Sequence, residues 1–243
     1  MIHRRKHGQE AVCRIPLASH EIVEHADRKI PVKLQDVTWR IFRIMAEFVE
    51  GFEFLAESDR EVSVFGSTRF TEDNHWYGEA RKLGRLLADH GFTVITGGGP
   101  GVMEAANRGA FERNGESIGL NIHLPKEQRT NPYVKRSHSF HYFFTRKVML
   151  AAAGQAYVFF PGGFGTLDEL TELMVLIQTK KMQRIPIVLV GKDFWMSFLQ
   201  WIQSSMHHDW ETISSEDLDI YTLVDSAEEA FRLIRKAPDR SFF

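Results

Sequence analysis

Apolar and polar positions follow two different periods along this chain. Between Leu34 and Leu55 the apolar residues recur every three or four positions, which predicts an amphipathic helix over about 34–55. After Ser58 and Asp59, short apolar runs alternate with segments of helical period. The apolar runs predict strands at Val62–Phe65, Phe92–Ile95, Ser117–Ile122, Tyr157–Phe160 and Ile187–Val190, with a weaker one at Ile220–Val224.

The segments between these runs predict the helices. They lie at about 74–90, 101–114, 143–153, 166–180, 194–206 and 226–236. Strands that alternate with helices indicate βαβ units and a parallel sheet covered on both faces. We therefore expect an α/β fold, a doubly wound Rossmann-like parallel sheet with an N-terminal helical extension. Residues 1–30 are polar and show no sustained period, which predicts a mobile arm before one domain over 31–243.

Composition narrows the range of partners. The 243 residues include 30 Lys and Arg against 32 Asp and Glu, a formal charge of −2. This balance gives no reason to expect a nucleic acid or an anionic membrane as partner. Cys13 is the single cysteine, which favours a reducing compartment. The basic N-terminus is followed by no apolar core, and no stretch is apolar enough to span a bilayer, so we expect a cytoplasmic protein.

Two glycine-rich segments follow predicted strands and open predicted helices. They are Thr96–Glu104, with the sequence TGGGPGVME, and Pro161–Glu169, with the sequence PGGFGTLDE. Glycines let a ligand approach the main chain, and the unpaired N–H groups of a helix start suit a phosphate. Ligands of such sheets bind outside the carboxyl ends of the strands. Turn geometry alone can also explain each loop.

Two other readings of these residues concern capping and cofactors. Thr166 and Glu169 fit a capping box, with Thr166 as N-cap and Glu169 at the third helical position. A dinucleotide fingerprint is disfavoured, because Glu104 and Asp168 stand where its third glycine should be and no carboxylate ends the strand after the first loop. A Walker loop is disfavoured because no Gly-Lys-Ser/Thr follows either glycine cluster.

The two loops together resemble the LOG family, phosphoribohydrolases long mislabelled as possible lysine decarboxylases. The family hallmark P-G-G-x-G-T-x-x-E stands complete at Pro161–Glu169, and its companion loop is similar to Gly97–Asn107. An Arg-Lys pair on the helix before the hallmark strand is matched by Arg146 and Lys147. The long N-terminal helix and basic arm depart from the compact plant-type members. They are similar to longer bacterial relatives often labelled AMP nucleosidases.

The resemblance implies hydrolysis of the N-glycosidic bond of AMP or an N6-modified AMP, releasing the base and ribose 5-phosphate. It implies Arg146 and Glu169 as the catalytic pair and a homodimer or larger homo-oligomer. We expect no metal or other cofactor. The pair His138 and His141 lacks a third ligand at a recognisable spacing, which also argues against a metal site. The substrate-binding residues expected around the pair are Ser67, Gly98, Gly99, Gly101, Lys147, Gly162, Gly163, Gly165 and Thr166.

A non-catalytic alternative stays open at this point. Molybdenum-cofactor carriers resemble the same fold and share the glycine loops, so the chain could be a nucleotide sensor or a carrier of a phosphorylated cofactor. The complete Arg146 and Glu169 pair favours the enzyme, because a pure binder need not retain it.

Overall fold

The structure, a computed structural model, describes residues 34–123, 130–237 and 240. The arm predicted over residues 1–30 lies outside the described residues. The described strands are β1 Glu61–Phe65, β2 Thr93–Thr96, β3 Ser117–Ile122, β4 Arg136–Phe140, β5 Ala156–Phe159, β6 Ile187–Val190 and β7 Tyr221–Val224. The α-helices are α1 Leu34–Leu55, α2 His75–Asp89, α3 Val102–Glu112, α4 Phe143–Ala153, α5 Phe164–Gln178, α6 Lys192–Trp201 and α7 Ala227–Ile234.

The strands form one parallel sheet in the order β4-β3-β2-β1-β5-β6-β7. From β1 the chain steps outward through β2, β3 and β4, and then returns to the other side of β1 with β5. The register places Phe65 of β1 beside Phe159 of β5, and Ser63 beside Ile95 of β2. The strand order therefore reverses around β1, where ligands of doubly wound sheets bind. This architecture confirms the predicted Rossmann-like fold with an N-terminal helix.

Side chains of successive strand residues enter two separate hydrophobic layers. In β5, Val158 packs with α2, α3 and α7, whereas Tyr157 and Phe159 pack with α1, α4, α5 and α6. The same alternation runs through Val188 and Leu189 of β6. Because both faces of the sheet are covered, the strands are apolar at consecutive positions, which is why short apolar runs located them.

Three features differ from the sequence prediction. Strand β4 was not predicted, because its sequence RSHSF contains four polar residues and its burial alternates along an edge strand. Helix α6 ends at Trp201 and continues as a π-helix, Ile202–Asp209. Helix α1 is present as predicted, yet part of its apolar stripe is exposed. Val37, Ile41, Met45, Val49 and Phe52 are all at least 39% accessible.

The buried side of α1 packs against α4. An added Cβ on Gly51 would lie 2.7 Å from Sδ of Met149, so the two helices approach closely at this glycine. Leu55 enters the same hydrophobic layer as Met149. In the part of the chain that the structure covers, no helix combines the length and apolar character needed to cross a bilayer.

Candidate active site

Three loops meet at the carboxyl ends of β2, β1 and β5. The N–H of Ser67, after β1, donates to the carbonyl of Pro161 after β5 at 3.0 Å. The carbonyl of Ser67 accepts the N–H of Val102, at the start of α3, also at 3.0 Å. Gly101 has φ +72° and its added Cβ would lie 2.2 Å from the Ser67 carbonyl oxygen. The structure therefore brings the two predicted glycine loops together through Ser67.

The loop after β2 is held from beneath by buried polar side chains. The Thr96 hydroxyl accepts the N–H of Gly98 at 2.9 Å and donates to Oδ1 of Asn107 at 2.6 Å. The N–H of Asn131 donates to the carbonyl of Gly98, and its side-chain amide donates to the carbonyl of Gly99. Both backbone polar groups of Gly98 are thus engaged within the protein, so the loop has a rigid shape.

The loop after β5 leaves the start of α5 open. Gly163 is the N-cap, with no side-chain hydrogen bond to the helix start, and α5 begins at Phe164. A Cβ added to Gly163 or Gly165 would meet no atom within 4 Å, so space for a ligand lies beside both. Gly165 and Thr166 lie in the first turn, where N–H groups have no intrahelical acceptor. Positive helix ends of this kind attract phosphate.

The capping box predicted for Thr166 and Glu169 is wrong. Because Gly163 is the N-cap, Thr166 is the third helical residue and Glu169 lies in the second turn. The Thr166 side chain instead covers Gly162. A Cβ added to Gly162 would lie 2.1 Å from the hydroxyl oxygen of Thr166. The Glu169 carboxylate is therefore not used to cap its own helix.

Arg146 lies in the first turn of α4 and reaches back over the loop after β2. Its Nε donates to the carbonyl of Leu120 in β3 at 2.7 Å. Its guanidinium lies against Gly97, where an added Cβ would be 2.1 Å from Nη2. Burial lowers the pKa of Arg146, and the charge of Glu169 opposes this shift. Arg146 remains a cation that is held by the sheet on one side and by a glycine on the other.

Glu169 is a half-buried carboxyl group with a perturbed pKa. Burial raises its pKa from the ordinary 4.5 to about 7, while the charges of Arg146 and Lys147 act to lower it. Within the described residues Glu169 forms no ion pair with either cation. Strongly perturbed carboxyls in clefts are candidates for acid–base chemistry.

Lys147 joins α4 to α5 beside this pair. Its Nζ lies 2.8 Å from Oδ2 of Asp168 and 3.4 Å from Oε2 of Glu172. The two carboxylates flank Glu169 on α5, so this clamp helps to set how Arg146 and Glu169 face each other. Its predicted role as a substrate ligand stays a prediction.

Two residues of the site were not identified from the sequence. Asn131 supports the Gly98–Gly99 backbone, as described above. Asn121 is the second-to-last residue of β3, and its buried Oδ1 lies next to Gly98 without a hydrogen-bond partner among the described residues. Its position at the carboxyl end of a strand beside the first glycine loop was the available signal.

The geometry offers no metal centre within the described parts of the chain. No group of three or more His, Cys, Asp or Glu side chains there could hold a metal ion. His138 and His141, weighed above as ligands, instead contact aromatic rings, those of Phe54 and Phe140 for His138 and of Tyr142 for His141.

Comparison with known proteins identifies relatives of this chain. A family model described as possible lysine decarboxylase matches residues 103–234. A probable cytokinin riboside 5′-monophosphate phosphoribohydrolase of Oryza sativa subsp. japonica is 30% identical over 154 residues, which are 61% of each chain. A pyrimidine/purine nucleotide 5′-monophosphate nucleosidase of Escherichia coli strain K12 is 25% identical over 194 residues, 75% of this chain but 42% of that protein.

Solved structures share the fold at lower identity. The molybdenum cofactor carrier protein of Chlamydomonas reinhardtii is 20% identical with a TM-score of 0.55, over 74% of this chain and 98% of that one. The structure named TM1055 has a TM-score of 0.53 at 22% identity, over 73% of this chain and 99% of that one. At such identities these matches establish the fold alone.

Proposed function

This chain belongs to the LOG family, whose model is described as possible lysine decarboxylase, and from this membership we propose that it hydrolyses nucleoside 5′-monophosphates. The proposed products are a free base and ribose 5-phosphate. The observation that carries the proposal is the half-buried Glu169, which does not cap its own helix and has a pKa of about 7, beside the half-buried cation of Arg146. A carboxyl held in this state is suited to acid–base work at neutral pH.

The substrate's 5′-phosphate binds at the start of α5 in this proposal. Its proposed donors are the N–H groups of Gly162, Gly163, Gly165 and Thr166, and the open space beside Gly163 and Gly165 supports this placement. Ser67 and the loop residues Gly98, Gly99 and Gly101 line the opposite side. Binding of this remote phosphate positions the ribose, so that the binding energy of the phosphate helps to orient the reacting carbon.

Glu169 acts on the reacting carbon in the proposed mechanism. Breaking the bond between C1′ and the base nitrogen leaves positive charge on the ribose ring, as in other glycoside hydrolyses. The Glu169 carboxylate stabilises that charge and takes a proton from the attacking water. The water oxygen bonds to C1′ as the bond between C1′ and the base nitrogen breaks, and its electron pair stays on that nitrogen. The base takes a proton from solvent, and Glu169 returns the proton of the attacking water to solvent, so that the net reaction consumes one water. Arg146 holds the substrate or polarises the leaving base, since its high pKa prevents it from serving as a general acid.

Base release from nucleotides tests this function directly. The purified chain is incubated with AMP, and with a panel of other nucleoside monophosphates, and free base is measured by chromatography. We expect Glu169→Gln to lower the rate by about 10²–10⁴-fold and to keep nucleotide affinity, because the phosphate site is untouched. The matched control is Glu216→Gln, because Glu216 is an exposed carboxylate outside the site. Release by Glu169→Gln above about a tenth of the wild-type rate would remove Glu169 from the mechanism.

The same experiment separates the enzyme from the non-catalytic alternative. The open start of α5 suits a phosphorylated ligand in either case. A nucleotide sensor or a carrier would bind nucleotide without releasing base from any substrate in the panel. Turnover that depends on Glu169 is expected of the enzyme alone.

The partner in this proposal is a small-molecule nucleotide, and the chain is a homo-oligomer, as the family resemblance implies. The exposed apolar side chains of α1 support self-association. The cytoplasmic location remains a prediction from the sequence, with which the single cysteine, Cys13, agrees.

A further inference from the structure

Glu47 is a buried carboxylate in α1 that the proposed mechanism does not use. Its side chain is 8% accessible, and its partners lie 94–98 residues further along the chain. Oε1 accepts the N–H of His141 at 2.8 Å, and Oε2 accepts the N–H of Tyr142 at 3.3 Å. Oε2 also accepts the hydroxyl of Thr145 at 2.6 Å.

These contacts are those of a helix cap supplied by another element. Tyr142 is the N-cap of α4, and its own side chain makes no capping hydrogen bond. A helix start has four N–H groups without intrahelical acceptors and a positive dipole end. The Glu47 carboxylate accepts the N–H of the N-cap Tyr142 and of His141 before it, and brings a negative charge to the positive end of α4.

The helix that Glu47 caps carries Arg146. Arg146 directly follows Thr145, one of the groups bound by Glu47, and its guanidinium fits between the Leu120 carbonyl and Gly97. This fit leaves little tolerance, because a sliding or tilting of α4 would move the guanidinium off Gly97. Lys147 fixes the same turn from the α5 side through Asp168.

We propose that Glu47 is a positioning residue, which holds the first turn of α4 so that Arg146 stays over Gly97 and faces Glu169. The inference rests on the proposed function for its kinetic part. It makes α1 part of the active-site support. A role of this kind predicts loss of turnover with substrate affinity kept, because the phosphate site on α5 does not contact Glu47.

The first test is Glu47→Gln. The amide keeps one acceptor oxygen, but it loses the charge and turns an N–H₂ donor toward other donors, so the first turn of α4 loosens. We expect kcat for base release to fall about 10- to 100-fold with KM changed less than about threefold, as for a small misplacement of a catalytic group. Glu53→Gln, an exposed carboxylate on the same helix, is expected to match the wild type.

A stability control separates positioning from general weakening of α1. Leu55→Ala removes a buried side chain from the contact of α1 with the core and leaves the Glu47 carboxylate in place. We expect it to lower the unfolding temperature at least as much as Glu47→Gln, while kcat of the folded protein stays near wild type. An equal loss of kcat in both variants would overturn the proposal.

A double-mutant cycle tests whether Glu47 acts through Arg146. If it does, adding Glu47→Gln to an Arg146→Gln protein changes kcat no further, so the two effects are not additive. Full additivity of the two losses would overturn the proposal, because it would mean that Glu47 acts by another route.

Hydrogen exchange gives a readout that does not depend on activity. In the wild type the Arg146 Nε–H donates a hydrogen bond to the carbonyl of Leu120, and we expect NMR to find this group protected from exchange. We expect Glu47→Gln, but not Glu53→Gln or Leu55→Ala, to speed exchange of this group by at least about tenfold. If no base is released from any nucleotide yet this exchange responds, the proposed function fails and the positioning role stands. Unchanged exchange in Glu47→Gln overturns the positioning role.

Discussion

At the scale of single residues, folding strongly alters the acid–base chemistry of Glu169. Burial favours the neutral acid, whereas Arg146 and Lys147 favour the carboxylate, and burial has the larger effect. The pKa of about 7 places the two forms in balance at neutral pH. Activity and stability should therefore both depend on pH through this one side chain.

We expect kcat/KM for base release to rise about tenfold per pH unit below pH 7 and to level off above it. The proposed mechanism needs the carboxylate, and this profile reports the free enzyme. The substrate phosphate also titrates, with a second pKa near 6. Measuring AMP affinity of Glu169→Gln over the same pH range isolates that contribution. A flat profile between about pH 5.5 and 8 would contradict the role of Glu169 as base.

The same pKa has a consequence for stability, with a definite sign. The unfolded chain loses the Glu169 proton near its ordinary pKa of 4.5, but the folded protein keeps it until about pH 7. The stabilisation from the protonated form is therefore fully present below about 4.5 and is lost as pH rises through 7. We expect thermal unfolding to show that the stability of Glu169→Gln increases relative to that of the wild type as pH rises from 5 to 8. An unchanged difference would mean that the carboxyl is not perturbed.

At the scale of elements, the contact between α4 and the loop after β2 decides where Arg146 lies. Gly97 has no Cβ, and the Arg146 guanidinium occupies the space where one would be. The loop itself is fixed by Thr96, Asn107 and Asn131. A side chain at Gly97 must therefore displace the far ends of Arg146 and Met103 rather than the backbone.

We expect Gly97→Ala to lower kcat/KM by about 100-fold while the unfolding temperature stays within a few degrees of wild type. The displaced groups are flexible ends, so folding tolerates the methyl group, but the guanidinium is misplaced. Kinetics with AMP and thermal unfolding measure the two effects. Gly78→Ala is the matched control, because its added Cβ meets open space in α2. It should keep full activity and gain about 0.5–1 kcal/mol of stability. Full activity in Gly97→Ala would show that Arg146 need not lie at this position.

At the scale of the whole molecule, α1 presents an exposed apolar stripe. Ile41, Met45, Val49 and Phe52 share one side of the helix, while Glu47 and Gly51 face α4. Water contact with such a stripe is unfavourable, and patches of this kind on soluble proteins mark association surfaces. A second copy of the chain is the partner that the family resemblance implies.

Light scattering on the purified chain is expected to give a mass at least twice that of one chain. Met45→Glu places a charge in the stripe and should shift the protein toward the monomer. Trp210→Glu, which changes an exposed aromatic outside α1, should leave the mass unchanged. A monomeric wild type at micromolar concentration would contradict self-association. Equal effects of both variants would mean that the association surface is not the stripe on α1.

Local sequence patterns predicted most of the fold. The apolar runs located six of the seven described strands to within one residue at each end, and the bounds of β3 and β6 are those predicted. The exception, β4, is an edge strand whose polar residues hide the pattern of a strand. For α5, Thr166 suggested a helix start, whereas the helix begins at Phe164 with Gly163 as its N-cap.

The sequence by itself determined the features that depend on residues close together in the chain. The period of apolar residues sets helix or strand, and a glycine-rich loop after a strand sets where a phosphate can approach. The tertiary structure alone decided which side chains meet. Glu47 binds groups 94–98 residues away, and Arg146 fits over Gly97 because two loops and two helices converge there. The pKa of Glu169 likewise depends on burial by neighbours from other elements, which no local pattern encodes.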